Sequence, residues 1–572
     1  MRTIAPNAPG PVATLLDALR TRSAPMSLWL GRGDVKRSSA AQLREQSAAW
    51  AGCLQALGVR PGQVVAFSAP SSLELLVALL GAWQCGAAVA ILPEAGTGAG
   101  AVAGADSADA ARDERVLAGL RQLRPAVLVH AGPVMQNWSP HVACLLALAA
   151  GPGKAGLASP RGLDVSPDGI AVMQLTSGST GDPKVVPLTH RMVVTNCLAL
   201  GERAAVTSLD HMLSWLPLTH DMGLSAVTVA LACDIPLTLM TTELFTRAPL
   251  SLLEAMSELR ATLSPNPASA LEMLARMGRR AQRLGLDLSS WRYAWIGAEP
   301  VFARVLAAFE QAMQAMSLPA QTLQPAYGMA EAVVAVSCGA AGRPWRCLHV
   351  APDGLQKQQP VQPCDAGMPG AVALVSSGSL LPDVSARVCD DAGLTLPDGM
   401  QGRLWIRGPS VTQCYLHGME EDSFRHGWFD TGDIGLIWDG ELYVTGRAKD
   451  LIVRGGVKVG ARDVEAAVEG QLELRSGRVA AFASLDHALQ RELLVVVVAK
   501  RFGASEAALE QRIGQAVVTR CGVRVDHLAF SGAGPLPRTT SGKLRRGAVR
   551  ALWLQGAFAQ GLMEQTDDEV AI

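Results

Sequence analysis

The sequence carries no surplus of charge of either sign: among 572 residues, 50 Lys plus Arg stand against 51 Asp plus Glu, a formal net charge of -1. Such a balance provides no basic field to draw in nucleic acid, and a small-molecule substrate fits it better. No CxxC pair occurs among the 11 cysteines, an odd number scattered from Cys53 to Cys521. That pattern argues against a disulfide framework and against a structural zinc site, and reads as buried reduced thiols. Met1–Pro11 lacks an apolar core and is broken by three prolines, so no secretory signal is expected there and the location expected is cytoplasmic. Leu75–Leu92 is long enough to raise the question of a membrane span. Gly81, Gln84 and Gly86 interrupt it and no cationic flank anchors it, so it reads as a buried helix followed by a buried strand. There is no internal repeat, and the glycines of the Ala-, Gly-, Asp- and Ser-rich stretch Glu94–Ala111 miss GxGxxG spacing. That stretch suits a surface loop.

What is present is apolar and long. Hydrophobic residues at 49% and charged ones at 18% describe a well-packed chain, and its length exceeds what one core usually supports. Apolar, β-rich runs at Val64–Phe67, Ala88–Leu92, Ala126–Val129 and Ile170–Leu175 alternate with helical stretches at Ser72–Cys85 and Thr189–Gly201. The alternation predicts an α/β fold of parallel sheets covered by helices. After Leu374 the strands shorten, at Ser385–Val388, Gly402–Arg407 and Leu442–Val444, with a turn at Asp439-Gly440, which predicts a small antiparallel β unit. From Lys449 a compact α+β segment follows, with a strand at Leu493–Ala499 and a helix at Ser505–Arg520. The expected boundary is at Arg447–Asp450, giving a large domain over 1–448 and a small one over 449–572.

One loop carries evident chemistry. Behind the buried run Val172–Leu175 comes Thr176-Ser177-Gly178-Ser179-Thr180-Gly181-Asp182-Pro183-Lys184, which combines four hydroxyls, two glycines and a terminal ammonium. Backbone N–H groups, hydroxyls and a cation are what polyphosphate oxygens require. Pro183 before Lys184 and Val185 after it rule out a Walker A loop.

Thr176–Lys184 resembles the phosphate-binding signature of the adenylate-forming superfamily, which includes acyl-CoA synthetases, adenylation domains and fatty acyl-AMP ligases. The resemblance runs from about Ser39 to Arg546. It implies two α/β subdomains and a small β-barrel-like unit in the large domain, with a mobile small α+β domain behind them. Gly297-Ala298-Glu299-Pro300 and Gln324–Glu331 are similar to the family's nucleotide segments. Ala326, Tyr327, Gly328 and Met329 would face adenine, and Glu331, with Thr180, would hold Mg2+ on the phosphates of ATP, a hard oxygen set suited to that ion. Asp433, ending Trp428–Asp433, would accept from the ribose hydroxyls, and Arg447 would contact ribose or phosphate. Lys543, in Arg538–Arg546, would reach the reacting carboxylate and phosphate from the small domain, rotating about a hinge at Lys449. With Lys184 and Glu331 it makes up the expected catalytic set.

The acceptor is the less determined part. Trp215–Leu224, containing His220, Asp221, Met222 and Gly223 at the expected acyl pocket, is similar to the fatty acyl-AMP ligases, as is Ala330. Arg343–Ala373 sits where those ligases carry an inserted segment. Such enzymes pass the acyl group to the phosphopantetheine of a separate acyl carrier protein. Arg454–Val459, with Gly455-Gly456 and Lys458, resembles instead the enzymes that use CoA, so a medium- or long-chain acyl-CoA synthetase stays open. A catalytically silent nucleotide-binding protein would have lost Lys543, Glu331 or the loop hydroxyls, and all are present.

Overall fold

The computed structural model describes residues 12–94, 107–132, 134–153, 164–176, 183–351, 355, 359–369, 371–418, 423–454, 457–474, 477–486, 491–499, 506–532, 534–538 and 543–562. The chain is α/β, with two mainly parallel sheets, as the apolar runs predict. In the first, six strands lie in the order 144–147, 127–130, 64–68, 88–91, 170–176 and 184–189. All pair in parallel except the last, which returns antiparallel on Ile170–Thr176. In the second, nine strands run from Ser379–Leu380 at one edge to Asp34–Ser38 at the other, with 323–327, 293–297, 263–267, 212–214, 237–240 and 26–31 parallel at its centre.

Leu73–Gln84 is a helix started by the Ser72 hydroxyl, which accepts from the Leu75 N–H at 3.0 Å. Leu75, Leu76, Leu79 and Leu80 are fully buried, each contributing about 1.5–3 kcal/mol relative to exposure. The run therefore goes to the protein core, and no helix among the described residues is long and apolar enough to cross a membrane.

The third unit is antiparallel, formed by 385–389, 402–407, 424–425, 428–438 and 441–447. Its last hairpin closes through Asp439 and Gly440 at φ 52° and 72°, the two positive values a tight two-residue hairpin turn requires. A 3-10 turn at Ala448–Asp450 leads into the α+β segment, which holds a hairpin at 451–454 and 457–460 and a four-stranded sheet of its own. Arg546 ties that segment to the turn: it donates to Asp450 Oδ2 at 2.7 Å and to both oxygens of buried Glu465 at 2.7 Å each.

One reading shifts. The helix Ser107–Leu123 begins inside the stretch assigned to a loop, because alanine favours helix as strongly as loops favour glycine, while 95–106 lies outside the described residues. Within and just beyond Arg343–Ala373, Cys347–Val350 pairs antiparallel with Val372–Val375.

Candidate active site

The hydroxyl-rich loop joins two hydrogen-bonded strands, with Thr176 paired opposite Lys184. That pairing sets the half-buried Lys184 at the first position of the return strand. Ser177, Gly178, Ser179, Thr180 and Gly181, including the metal contact expected of Thr180, lie outside the described residues.

Around Lys184 the chain gathers groups distant in sequence. Its Nζ lies 5.2 Å from the ring centroid of Tyr415, whose hydroxyl donates to Glu331 Oε1 at 2.6 Å. Burial pushes the Glu331 carboxyl above its ordinary value; the Tyr415 hydrogen bond and the Lys184 charge oppose the rise, and the Asp221 carboxylate adds to it. Lys184, Asp221, Glu331 and Tyr415 therefore form one electrostatic cluster. Tyr415 is absent from the residues that sequence motifs point to, although it is one of only four tyrosines in the chain.

Asp221 opens the helix Asp221–Ala232, with His220 as its cap residue. Gln174 Nε2 ties the preceding turn to the strand before the hydroxyl-rich loop by donating to Thr219 O at 2.9 Å. Gly223 is needed where it stands, since a Cβ there would overlap the Pro217 carbonyl. Met222 turns to a separate apolar cluster with Trp215, Leu216, Met240 and Phe245, in which the Trp215 and Phe245 rings stack at 3.7 Å.

A second cluster lies on a cleft of about 2300 Å³ between the antiparallel unit and the α+β segment, lined by Ala298, Tyr327, Gly328, Asp433, Arg447 and Lys543 among others. Tyr327 donates its hydroxyl to Asp433 Oδ2 at 2.7 Å and Arg447 Nε donates to Asp433 Oδ1 at 3.0 Å. Burial raises the Asp433 carboxyl, against the pull of Arg447, Tyr327 and the Lys543 ammonium. Lys543 is thus within electrostatic reach of Asp433, on the far wall of the same cleft. Gly297 ends a buried strand, Ala298 takes φ 65°, and Glu299 accepts from the Ser269 N–H. Gly328 admits no Cβ, which would overlap the Val334 carbonyl, and Met329 is half-buried beside it. Lys449 lies in the 3-10 turn at Ala448–Asp450.

The arrangement presents one carboxylate flanked by a cation and a phenol, and a second carboxylate bonded to a phenol and a guanidinium, with an exposed lysine facing the latter. Among the described residues no group of three or more His, Cys, Asp or Glu could hold a metal ion. Glu331 fits a cation that takes most of its ligands from substrate phosphates and water, as magnesium does.

The chain resembles known proteins over most of its length. The model of the AMP-binding enzyme family matches residues 18–416. A Caulobacter vibrioides protein provisionally named an acyl-CoA synthetase is 31% identical over 558 residues, covering 95% of each chain. JamA of Moorena producens, a medium-chain fatty acid–acyl-carrier-protein ligase, is 32% identical over 415 residues, 69% of this chain and 70% of its own. A solved structure from studies of the fatty acyl-adenylate ligases of E. coli and L. pneumophila aligns with a TM-score of 0.82 at 28% identity, covering 95% of this chain and 98% of its own.

Proposed function

This chain belongs to the AMP-binding enzyme family of adenylate-forming ligases, and from that premise we propose that it activates a fatty acid with ATP and passes the acyl group to the phosphopantetheine thiol of a separate acyl carrier protein in the cytoplasm. The observation that carries the reading is at the start of the helix Asp221–Ala232. Asp221 belongs to the charged cluster of Lys184 and Glu331, while its neighbour Met222 enters the apolar cluster of Trp215 and Phe245. A substrate with a carboxylate head and a hydrocarbon tail suits that boundary.

In the first step a carboxylate oxygen attacks the α-phosphorus of ATP, the bond to the β-phosphate oxygen breaks, and pyrophosphate leaves. Thr176–Lys184 would cradle the phosphates, and Glu331 would hold magnesium, which supplies neutralising charge when bound. Tyr327, Asp433 and Arg447 would grip the nucleoside, and Lys543 would stabilise charge on the reacting carboxyl and phosphate. In the second step a thiol attacks the acyl carbon, the C–S bond forms, AMP leaves, and the thiol proton passes to solvent. The 3-10 turn containing Lys449 would be the hinge on which the small domain, 449–572, turns between steps, as part of a two-domain division at 448.

The test is acid-dependent exchange of labelled pyrophosphate into ATP across fatty acids of graded length, followed by mass spectrometry with CoA and with a holo carrier protein supplied in turn. Exchange that responds to a fatty acid, with product on the carrier alone, is the expected result. Exchange without response to any fatty acid sinks the substrate class. Free acyl-CoA would favour the second reading, an acyl-CoA synthetase, which Arg454–Val459 and the name of the Caulobacter relative support.

A further inference from the structure

Tyr415 touches both members of a pair that the chain brings together from far apart. Its hydroxyl donates to Glu331 Oε1 at 2.6 Å across 84 residues, and the face of its ring lies 5.2 Å from Lys184 Nζ. The backbone repeats the connection three residues earlier. Thr412 N–H donates to Glu331 O at 2.7 Å, and Thr412 Oγ1 donates to Pro187 O at 3.2 Å, on the strand that Lys184 begins. Tyr415 is only 4% exposed, and its ring is wedged edge-on against Phe424 and Phe429, with centroids 5.5 and 6.4 Å away. A tyrosine whose ring is fixed by packing offers its hydroxyl at one place.

We propose that Tyr415 is a positioning residue that sets the spacing and orientation of Glu331 and Lys184 before ATP arrives, its hydroxyl occupying one carboxylate oxygen so that the other is presented to the phosphate-bound metal. The inference rests on the reading of Glu331 and Lys184 given under Proposed function and adds to it a residue that no motif marks. A purely structural tyrosine would need only its ring, because phenylalanine fills almost the same volume among Phe424 and Phe429. The two functions separate in two variants. Tyr415→Phe keeps the ring against Lys184 and removes the bond to Glu331; Tyr415→Leu removes both.

The experiment is calorimetric titration of the full chain with ATP, with magnesium and with EDTA, alongside thermal unfolding of each variant. Y415F should melt near the wild type and bind ATP about tenfold more weakly with magnesium, the scale of one hydrogen bond to a charged group, with metal-free affinity unchanged. Y415L should weaken ATP binding with and without metal. In an E331Q background, Y415F should have no further effect on the magnesium dependence, because its action passes through that carboxylate. Equal losses with and without metal, additive effects of Y415F and E331Q, or wild-type affinity in Y415F each overturn the proposal. So does failure of both variants to fold, which would mark Tyr415 as structural. A wild-type chain whose ATP affinity ignores magnesium removes the parent reading of Glu331 as well, whereas magnesium dependence in the wild type with no change in Y415F removes this inference alone.

Discussion

Asp433 receives the Tyr327 hydroxyl on one oxygen at 2.7 Å and the Arg447 guanidinium on the other at 3.0 Å. Burial raises this carboxyl, and the Arg447 charge and the Tyr327 hydroxyl oppose the rise at the wall of the cleft. Asp433→Asn keeps the size and removes the charge. Hydrogen bonds to charged groups contribute about 1.5–3 kcal/mol, so ATP affinity measured by calorimetry should fall roughly 10–100-fold. Wild-type affinity in that variant would mean the ribose is held elsewhere.

Lys543 stands across the cleft from this group, close enough for its ammonium to stabilise the Asp433 carboxylate. If that ammonium acts on the reacting carboxyl and phosphate, Lys543→Ala should lower acid-dependent pyrophosphate exchange by about 10²–10³. Transfer from acyl-AMP supplied directly should stay near the wild-type rate. Equal loss in both half-reactions would place the lysine in general binding.

The α+β segment should lose stability as pH rises. Glu469 is 1% exposed, and burial pushes its carboxyl from 4.5 to about 7, against the Arg462 and Arg304 charges and the Gly477 N–H, with Glu465 adding to the rise. Asp463 is moved the same way, to about 6, chiefly by burial. A raised acid binds more protons folded than unfolded, so its stabilisation is complete below about pH 4.5 and fades through about pH 7. Glu469→Gln keeps an acceptor for Gly477 and removes the titration. Unfolding followed between pH 5 and 8 should show the wild type losing about 2–3 kcal/mol that the variant keeps, from the shift of Glu469 at about 1.4 kcal/mol per pH unit. Parallel pH profiles would show that Glu469 stays ionised.

The parts legible in the sequence were those written in contiguous residues. Asp439-Gly440 declares its hairpin by the positive φ those residues tolerate. Strand runs such as Gly402–Arg407 are matched residue for residue because both their ends carry breaks in the pattern. Tyr415 was not legible: the role proposed for it rests on a bond to Glu331 and a ring face toward Lys184, and nothing in Cys414-Tyr415-Leu416 announces either. Asp433 and Arg447 could each be named, while their mutual bond arises from antiparallel register between 428–438 and 441–447. The start of the helix at Ser107 was missed because alanine-rich sequence serves helix and loop alike until tertiary packing decides.

Gly223 offers the most local test of how the proposed acyl boundary is built. The first turn of Asp221–Ala232 lies so close to Pro217 that a Cβ at 223 would overlap its carbonyl, and backbone cannot step aside as a flexible side chain would. Gly223→Ala must therefore shift the turn that sets Asp221 beside Glu331 and Met222 beside Trp215. Overpacking of this kind costs about 1–3 kcal/mol, so the variant should fold with a lowered Tm. Because the displaced turn joins the charged and apolar clusters, KM for the fatty acid should rise more than KM for ATP. A variant with lowered Tm and both KM values unchanged would show that this turn supports the fold without touching the substrate.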